Sequence, residues 1–484
     1  MTSPAATPTA SPLATAVSTT DTPRRAGSRV VRWGVLAVIA VAAMGLRLAF
    51  LDHRSLDFTA FLDRWYTHIA DNGGFAAFKE SFADYNYPYL YLIAILTYLH
   101  IPALVGIKGI SIAFDFVLAS FAYRIVGLRH PSFWPRALVF ALILFLPTVV
   151  ANSSYWGQAD GIYSAFAVGG VYFLLRRRPW WACVFIGLAL SFKLQAIFLV
   201  PVVAFLVLRR HIPWRSLLAI PAVMLLLDIP PLLVGAPIGD VLGVYVSQTG
   251  SYKQLTLGAP NLYQWISLSG NVTWIAYTGI GVVCVLTVAA LLYALRHRPV
   301  LDDTAILLAV ATSAVVVPFF LPAMHERYFF LAEVLTVVVA FYLPMRYWII
   351  PVLVQIASFG GYFDSLTGDQ AGGGAGGRPG GGGFAGGGPR PGGGAGAGPG
   401  GGTGGGRPPG DMSGSRGGGD GYTSGQGDTS LQIYAGVMAM AVLTLAATTV
   451  AHIRRLGRRS RRLGRRSRRL GRRSLRMGRA DIRS

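Results

Sequence analysis

Long apolar runs separated by short polar and basic connections set the pattern of this chain. The first run extends from about residue 33 to 51 and follows Arg24, Arg25, Arg29 and Arg32. A membrane-spanning helix needs about 20 apolar residues. Because many similar runs follow, we interpret the first as an uncleaved spanning helix rather than a signal peptide. Further runs lie at about 86–104, 107–126, 137–151, 160–175, 181–208, 216–234, 272–295, 304–322, 328–343, 347–362 and 431–451. The pattern predicts an all-α, polytopic transmembrane bundle of about 12 or 13 helices.

One of these runs differs from the others in length and polarity. Residues 181–208 are too many for a single span, and Lys193 and Gln195 lie near the middle. A lysine in hydrocarbon is costly unless it has an anionic partner. We therefore expect two short or re-entrant helices that meet near Lys193.

The basic connections orient the chain, because cytoplasmic loops carry an excess of Lys and Arg. This rule makes both termini cytoplasmic, together with the connections 124–136, 176–178, 209–215 and 296–298. The outside loops are then 51–85, 152–160, 235–271, 323–327 and 363–430. Two runs lie between 51–85 and 124–136, although an odd number of crossings is required. Either one of the two does not cross fully, or the charges at 124–136 break the rule.

Composition agrees with a membrane protein and shows two unusual segments. Only 13% of the residues are charged, 53% are hydrophobic, and the net charge is +22; soluble chains carry about 25% charged residues. Fifteen arginines and one acid lie in 452–484, and 31 of the 60 glycines lie in 371–430. The predicted regions are a disordered tail (1–28), a transmembrane core (29–363), a glycine-rich outside loop (364–430), a last span (431–451) and an arginine-rich tail (452–484).

Neither unusual segment carries a motif for chemistry. Residues 371–430 contain no Leu, Val, Ile or Trp, so we expect a flexible spacer. The tail repeats Arg-Arg-Leu-Gly-Arg-Arg-Ser at 454–460, 461–467 and 468–474. Such a repeat favours binding to anionic lipid. No aromatic residue is interleaved to stack on bases, so we do not predict a nucleic-acid partner. Cys183 and Cys284 lie in apolar runs and predict neither a disulfide nor a metal site.

Candidate chemistry begins in the first outside loop. Apolar residues at 58, 61, 62, 65 and 69 follow helical spacing, which predicts an amphipathic helix at the membrane surface. Asp57 stands directly before this helix. It is either a helix N-cap, the simpler interpretation for a single aspartate, or a functional carboxylate.

Polar side chains also occur at the ends of later runs. The segment 152–160 is polar and bracketed by helices, so it is either a hydrogen-bonded turn or a site. Tyrosines near 84–89 suit an interfacial aromatic belt equally well. Arginine binds phosphate through its bidentate fork. The candidate residues are Asp84, Tyr87, Tyr155, Trp156, Gln158, Asp160, Lys193, Gln195, His325, Glu326 and Arg327.

The order of these segments resembles the GT-C superfamily of integral membrane glycosyltransferases. The matching segments are Asp57 before the helix with Trp65, Asp84 to Tyr89, Tyr155 to Asp160, Phe192 to Ala196 followed by Pro201, and His325 to Tyr328. Within the superfamily, the chain is most similar to bacterial mannosyltransferases related to the second GPI mannosyltransferase. The eukaryotic dolichyl-phosphate-glucose glucosyltransferases show a looser likeness. The resemblance covers about residues 33–345 and does not extend to the glycine tract or the tail.

The resemblance implies a polyprenyl-phosphate sugar as donor and inverting transfer of a hexose, with mannose expected, outside a bacterial plasma membrane. Asp57 matches the catalytic base. Arg327, His325 and Lys193 would hold the donor phosphate, and no metal or other cofactor is expected. The sugar or acceptor pocket would comprise Asp84, Tyr87, Tyr155, Trp156, Gln158, Asp160, Gln195 and Glu326.

Two other classes of protein remain open from the sequence. A transporter or flippase of lipid-linked sugars would also need many helices, but it is expected to carry an internal repeat, and none is visible. A ligase-like or scaffolding protein would use the glycine loop for partners. The polar groups cluster on one predicted side of the membrane, which favours a one-sided enzyme.

Overall fold

The computed structural model describes residues 22–250, 252–371 and 421–480, and it is helical almost throughout. The first helices are α1 Thr22–Leu48, α2 Asp63–Asp71, α3 Tyr87–Tyr98, α4 Ala103–Arg129, α5 Phe133–Phe145, α6 Pro147–Val150, α7 Asp160–Leu175, α8 Pro179–Phe192 and α9 Val200–Leu208. The later helices are α10 Ala219–Leu227, α11 Ile229–Leu233, α12 Ile238–Gly250, α13 Thr273–His297, α14 Asp303–Phe320, α15 Phe330–Ala340, α16 Ile349–Ala371 and α17 Thr429–Ala480.

Shorter elements connect these helices. Two short strands, β1 Thr256–Leu257 and β2 Met324–His325, pair in parallel, with Thr256 opposite Met324. Two π-helices are Phe58–Leu62 and Ala151–Trp156, and the 3-10 helices are Gly74–Lys79, Leu194–Leu199, Trp214–Leu218, Leu262–Trp265, Glu326–Phe329 and Met345–Trp348. The structure confirms the all-α polytopic bundle predicted from the apolar runs.

Six helices in the described residues are long and apolar enough to cross a membrane, and the bent pair 133–145 and 147–156 makes up to seven. Four more apolar helices have only 10–17 residues: Tyr87–Tyr98, Asp160–Leu175, Pro179–Phe192 and Leu194–Leu208. Several of the 12 or 13 predicted crossings are therefore short helices. The run at 181–208 is broken at Lys193, as its polarity predicts.

The odd number of crossings predicted between the first outside loop and the connection 124–136 is explained by α3. This helix has 12 residues, whereas α4 has 27. At 1.5 Å per residue, α3 is about 18 Å long, well short of the roughly 30 Å hydrocarbon core. Only α4 is long enough to cross, so the first loop and 124–136 belong to opposite ends of the bundle.

The core is centred on α15, in which all eleven residues are buried. By contrast, only 6% of the apolar window of α1 is buried inside the protein. Small residues let the inner helices pack closely, as is usual between membrane helices. At Gly170 of α7, a Cβ would lie 3.2 Å from the Ala182 carbonyl oxygen of α8.

The predicted cytoplasmic connections lie together at one end of the bundle. Arg177 Nη2 lies 3.3 Å from Asp303 Oδ1, Arg209 Nε donates to the Pro299 carbonyl at 3.2 Å, and His452 lies 3.0 Å from Asp302. Since α7 and α8 run between this end and Asp160 or Lys193, the candidate site lies at the other end.

Candidate active site

A cavity of about 430 Å³ occupies this second end of the bundle. Its wall combines the first loop, the start of α3, the break between α8 and α9, and the segment 321–328. The lining residues are Asp57, Phe61, Leu62, Trp65, Asp84, Tyr85, Tyr89, Gln158, Ala159, Phe192, Lys193, Leu194, Gln195, Ile197, Phe198, Gln248, Tyr252, Ile280, Leu321, Pro322, Ala323, Met324, His325, Arg327, Tyr328 and Tyr422. Five predicted segments, widely separated in sequence, therefore meet at one cavity.

Asp57 is not the helix cap that its position suggested. The Ser55 hydroxyl accepts a hydrogen bond from Phe58 N at 3.1 Å and donates one to the Trp156 carbonyl at 2.8 Å. Ser55 thus provides the cap, while Asp57 makes no capping bond. The predicted amphipathic helix forms and buries Phe58, Leu62, Trp65 and Ile69. The Asp57 carboxylate is directed into the cavity with 8% of the residue exposed.

Lysine 108 fixes the loop that leads to Asp57. Its ammonium group donates to three backbone carbonyls of residues 50–53, at 2.8 Å from Phe50, 3.1 Å from Leu51 and 2.6 Å from His53. Lys108 belongs to α4 and is fully buried. A buried charge is tolerable only when it is fully hydrogen-bonded, and here the three carbonyls satisfy it. The first loop is consequently tied to a spanning helix.

Two side chains from other parts of the chain hold the Asp57 carboxylate. Gln158 Nε2 donates to Oδ2, and Arg327 Nη1 lies 3.4 Å from the same oxygen. Arg327 Nη1 also lies 3.5 Å from Glu326 Oε1, and the guanidinium stands 5.6 Å from the Trp156 ring centroid. Burial lowers the pKa of Arg327, but Asp57 and Glu326 outweigh burial and raise it. The guanidinium is therefore a permanent cation beside the candidate base.

A second carboxylate and cation lie behind the cavity wall. Lys193 adopts an extended backbone at the end of α8, and its ammonium group donates to Asp160 Oδ1. Asp160 Oδ2 accepts from Asn152 Nδ2 at 2.9 Å, and Asp160 is completely buried. Lys193 lines the cavity, but Asp160 does not. Asp160 is thus the anionic partner that we expected for Lys193 within its apolar run.

His325 differs from the two cations in charge. It is 4% exposed, and its ring lies 4.9 Å from the Tyr252 ring and 5.2 Å from the Tyr328 ring. Burial, and then Arg327 and Lys193, hold the pKa of His325 well below its usual value. The imidazole is neutral at physiological pH. It can therefore contribute hydrogen bonding to a phosphate but no charge.

The structure places seven of the predicted site residues in the cavity wall and five outside it. Those in the wall are Asp57, Asp84, Gln158, Lys193, Gln195, His325 and Arg327. Those outside are Tyr87, Tyr155, Trp156, Asp160 and Glu326, each turned toward a neighbouring side chain. Tyr155 stacks on His53 with ring centroids 3.7 Å apart, and Trp156 packs edge-on against Tyr362. The second group supports the site rather than facing it.

Two tyrosines of the wall were not selected from the sequence. Tyr85 and Tyr89 line the cavity with ring centroids 4.9 Å apart, whereas Tyr87 packs edge-on against Phe78. Tyr85 lies in a bend two residues before α3, and Tyr89 lies in the first turn of that helix. Among the described residues, the Tyr85 and Tyr89 hydroxyl groups have no hydrogen-bond partner. Because Asn86 between Tyr85 and α3 is extended, no helical spacing in the sequence identified this pair.

Electrostatics distinguish two further acids near the cavity. Burial raises the pKa of Asp84 in the wall. Burial also raises the pKa of Glu326 to about 7, although Arg327 opposes the shift. Within the part of the chain that the structure describes, no group of three or more His, Cys, Asp or Glu side chains is placed to hold a metal ion. The expectation that transfer needs no metal stays a prediction.

The fold and cavity define a multi-pass membrane protein with a polar site at one end. The model of Glycosyltransferase family 87 matches residues 82–278. No curated protein matches the chain significantly. The family match supports a membrane glycosyltransferase of GT-C type and does not favour a transporter. It includes Gln158 and Lys193 but neither Asp57 nor Arg327.

Proposed function

We propose that this protein transfers a hexose, with mannose the first candidate, from a polyprenyl-phosphate donor to an acceptor hydroxyl with inversion. The observation that carries the proposal is a nearly buried carboxylate, Asp57, held 3.4 Å from Arg327 in a cavity that Lys193 also lines. A base next to fixed cations matches the needs of a displacement in which phosphate leaves. The resemblance to mannosyltransferases supports the choice of sugar.

Asp57 is suited to accept the proton of the acceptor hydroxyl. Both of its contacts use Oδ2, and within the described part of the chain Oδ1 has no hydrogen-bond donor. As the acceptor oxygen forms its bond to the anomeric carbon, its proton passes to Asp57. The bond from that carbon to the phosphate oxygen breaks on the opposite face, and the electron pair leaves with the lipid phosphate.

The leaving phosphate is a stable anion, so the site needs cations more than a general acid. Arg327 offers a planar fork and Lys193 a point charge, and both line the cavity. His325 contributes a neutral ring beside them. One phosphate carries a small charge, so these groups suffice without a divalent metal in this mechanism.

One side of the cavity suits a lipid-linked donor. Phe192, Leu194, Ile197, Phe198 and Ile280 line it with apolar side chains. Ile197 and Ile280 are 44% and 37% exposed. Apolar side chains in the wall can contact a lipid tail, which supports a lipid-linked donor.

The proposed setting is a bacterial plasma membrane with the cavity on the extracytoplasmic side and both termini in the cytoplasm. The basic connections support this orientation. The arginine-rich tail then faces anionic lipid, with a contribution of about 1 kcal/mol per basic residue near the surface.

Transfer of radiolabelled mannose from polyprenyl-phosphate mannose to membrane acceptors tests the proposal directly. The protein is reconstituted with membranes from a strain that lacks it. We expect Asp57→Asn to reduce the rate by about 10²- to 10⁴-fold, the usual contribution of a general base. Asp63→Asn is the matched control, because this acid lies on α2 outside the cavity wall.

Four results would count against parts of the proposal. Unchanged transfer by Asp57→Asn would refute the base. Equal transfer from a nucleotide sugar would refute the lipid-linked donor, and preference for polyprenyl-phosphate glucose would refute mannose. Loss of transfer in a chelator, with recovery on adding a divalent cation, would refute the metal-free mechanism.

A further inference from the structure

Residues 421–428, here called the strap, lie at the end of the segment predicted to be a glycine-rich loop, yet they are hydrogen-bonded to the protein. Val272 N donates to the Tyr422 carbonyl at 2.8 Å, and Tyr422 N donates to Thr273 Oγ1 at 2.9 Å. Leu255 N donates to the Thr423 carbonyl at 2.9 Å, and Thr423 N donates to the Lys253 carbonyl at 2.8 Å. Further along, Gly427 N donates to Gln264 Oε1 at 2.9 Å. The strap is thus a bonded part of the cavity end.

Two glycines of the strap are required by its path. Gly425 has φ +63°, and a Cβ there would overlap the Thr256 carbonyl oxygen. A Cβ at Gly421 would overlap the Asn271 side chain. Glycine alone avoids both the left-handed strain and the overlap. The close fit indicates a specific docked conformation at these positions.

The strap extends the strand pairing that carries His325. Thr423 is bridged to Gln254, and the Leu255 carbonyl accepts from Ala323 N at 3.0 Å. The order across the wall is therefore strap, then the segment around β1, then the segment around β2. At about 4.8 Å per neighbouring strand, the strap lies roughly 10 Å from the segment that holds His325.

Tyr422 is the strap residue that faces the cavity. Its ring centroid lies 5.6 Å from Lys253 Nζ, and the ring packs on a buried cluster formed by Leu255, Tyr263, Val272, Ile275 and Ala276. The side chain is half-buried, so part of the ring remains accessible. The accessible part of this fixed ring, with the Lys253 ammonium group over it, suits a sugar, whose C–H bonds contact the ring while its hydroxyl groups meet the cation.

We propose that Tyr422 binds the saccharide unit of the acceptor. This inference rests on the proposed function, because it uses Arg327 and Lys193 as the donor phosphate site. Inverting displacement places the acceptor on the face of the anomeric carbon opposite the phosphate. Tyr422 lies two strand spacings from the segment of His325, with the segment around β1 between the two backbones, so a sugar bound to Tyr422 would lie over that segment on its cavity side. The residue also lies outside the matched range 82–278.

Binding of simple hexosides tests the inference without donor or catalysis. The full chain in nanodiscs is titrated with methyl α-hexopyranosides of mannose, glucose and galactose and followed by saturation-transfer NMR. We expect at least one hexoside to bind, and Tyr422→Ala to raise its Kd about three- to tenfold, as for loss of one aromatic contact. Tyr422→Trp should keep the affinity. Thr423→Ala, an exposed neighbour on the same strap, is the control.

A second variant separates the strap from the ring. Gly425→Ala retains the Tyr422 side chain but is incompatible with the docked conformation of the strap. It should therefore weaken binding of the same hexoside as strongly as Tyr422→Ala does. Wild-type affinity in Tyr422→Ala, or the absence of binding for all three hexosides, overturns the inference. Because hexoside binding needs neither donor nor catalysis, a Tyr422-dependent hexoside site in a wild-type protein that transfers no sugar would refute the proposed function alone.

Discussion

The carboxylates of Asp57 and Asp160 have nearly the same kinds of neighbour. Each carboxylate is paired with a cation and a side-chain amide: Asp57 with Arg327 and Gln158, Asp160 with Lys193 and Asn152. Asp57 lines the cavity and is 8% exposed, whereas Asp160 is fully buried outside it. The same three chemical groups thus give a carboxylate that can meet a substrate in one case and only a lysine in the other. Access distinguishes the candidate base from the structural acid.

The largest expected difference between the Asp57 and Asp160 sites is the loss of stability when each aspartate is replaced. Asp160→Asn leaves the Lys193 ammonium buried without its anion, and breaking one side of a buried ion pair costs about 3–5 kcal/mol. The thermal unfolding midpoint of the purified protein should fall clearly. The unfolding midpoint of Asp57→Asn should stay close to that of the wild type, because Asp57 borders the open cavity. A larger loss in Asp57→Asn than in Asp160→Asn would remove the distinction between the two sites.

The second expected effect concerns the donor. Arg327→Ala removes the fixed cation of the Asp57 site, so the KM for polyprenyl-phosphate mannose should rise about tenfold or more. Arg327→Lys keeps the charge but not the planar guanidinium fork, so its KM should lie between those of the alanine variant and the wild type. Arg346→Ala, at an exposed position outside the cavity wall, is the control. A change confined to acceptor dependence would contradict the phosphate role.

The smallest effect should appear in the pH profile. With its pKa raised to about 7, Glu326 is mainly protonated below neutral pH and becomes an anion above it. The anion lies 3.5 Å from Arg327 Nη1 and competes with donor phosphate. The donor KM should therefore rise a few-fold between about pH 6 and pH 8. Glu326→Gln should flatten this rise, and an unchanged slope in that variant would exclude Glu326 as the cause.

Apolar run length and intramembrane polarity predicted much of the fold. The break at Lys193 was visible because a charged residue interrupts 181–208, and the amphipathic helix after Asp57 was visible in its spacing. The length of α3 was not, because the apolar run at 86–104 continues beyond Tyr98, where the helix ends. Run length alone does not report where a helix stops inside an apolar region.

The site was predicted as a set of segments rather than as a set of side chains. Near the start of α3 the predicted site residue was Tyr87, but Tyr85 in the bend before the helix and Tyr89 in its first turn line the cavity instead. Glu326 and Arg327 are adjacent in sequence, yet only Arg327 lines the wall. Tyr422 was missed because its contacts are with residues 253–273, and no local pattern encodes a pairing over that separation. Which side chain lines the cavity, and which distant segments pair, is determined by the three-dimensional packing.

Lysine 108 has a consequence for how the protein is assembled. The loop before Asp57 is held by an ammonium group that belongs to α4, and α4 is synthesised after the loop. Gln158 and Arg327 follow later still. The first loop therefore emerges before any of the groups that fix its carboxylate. The reactive geometry matures only when later helices have entered the membrane, so a nascent chain carries the aspartate long before it carries an active site.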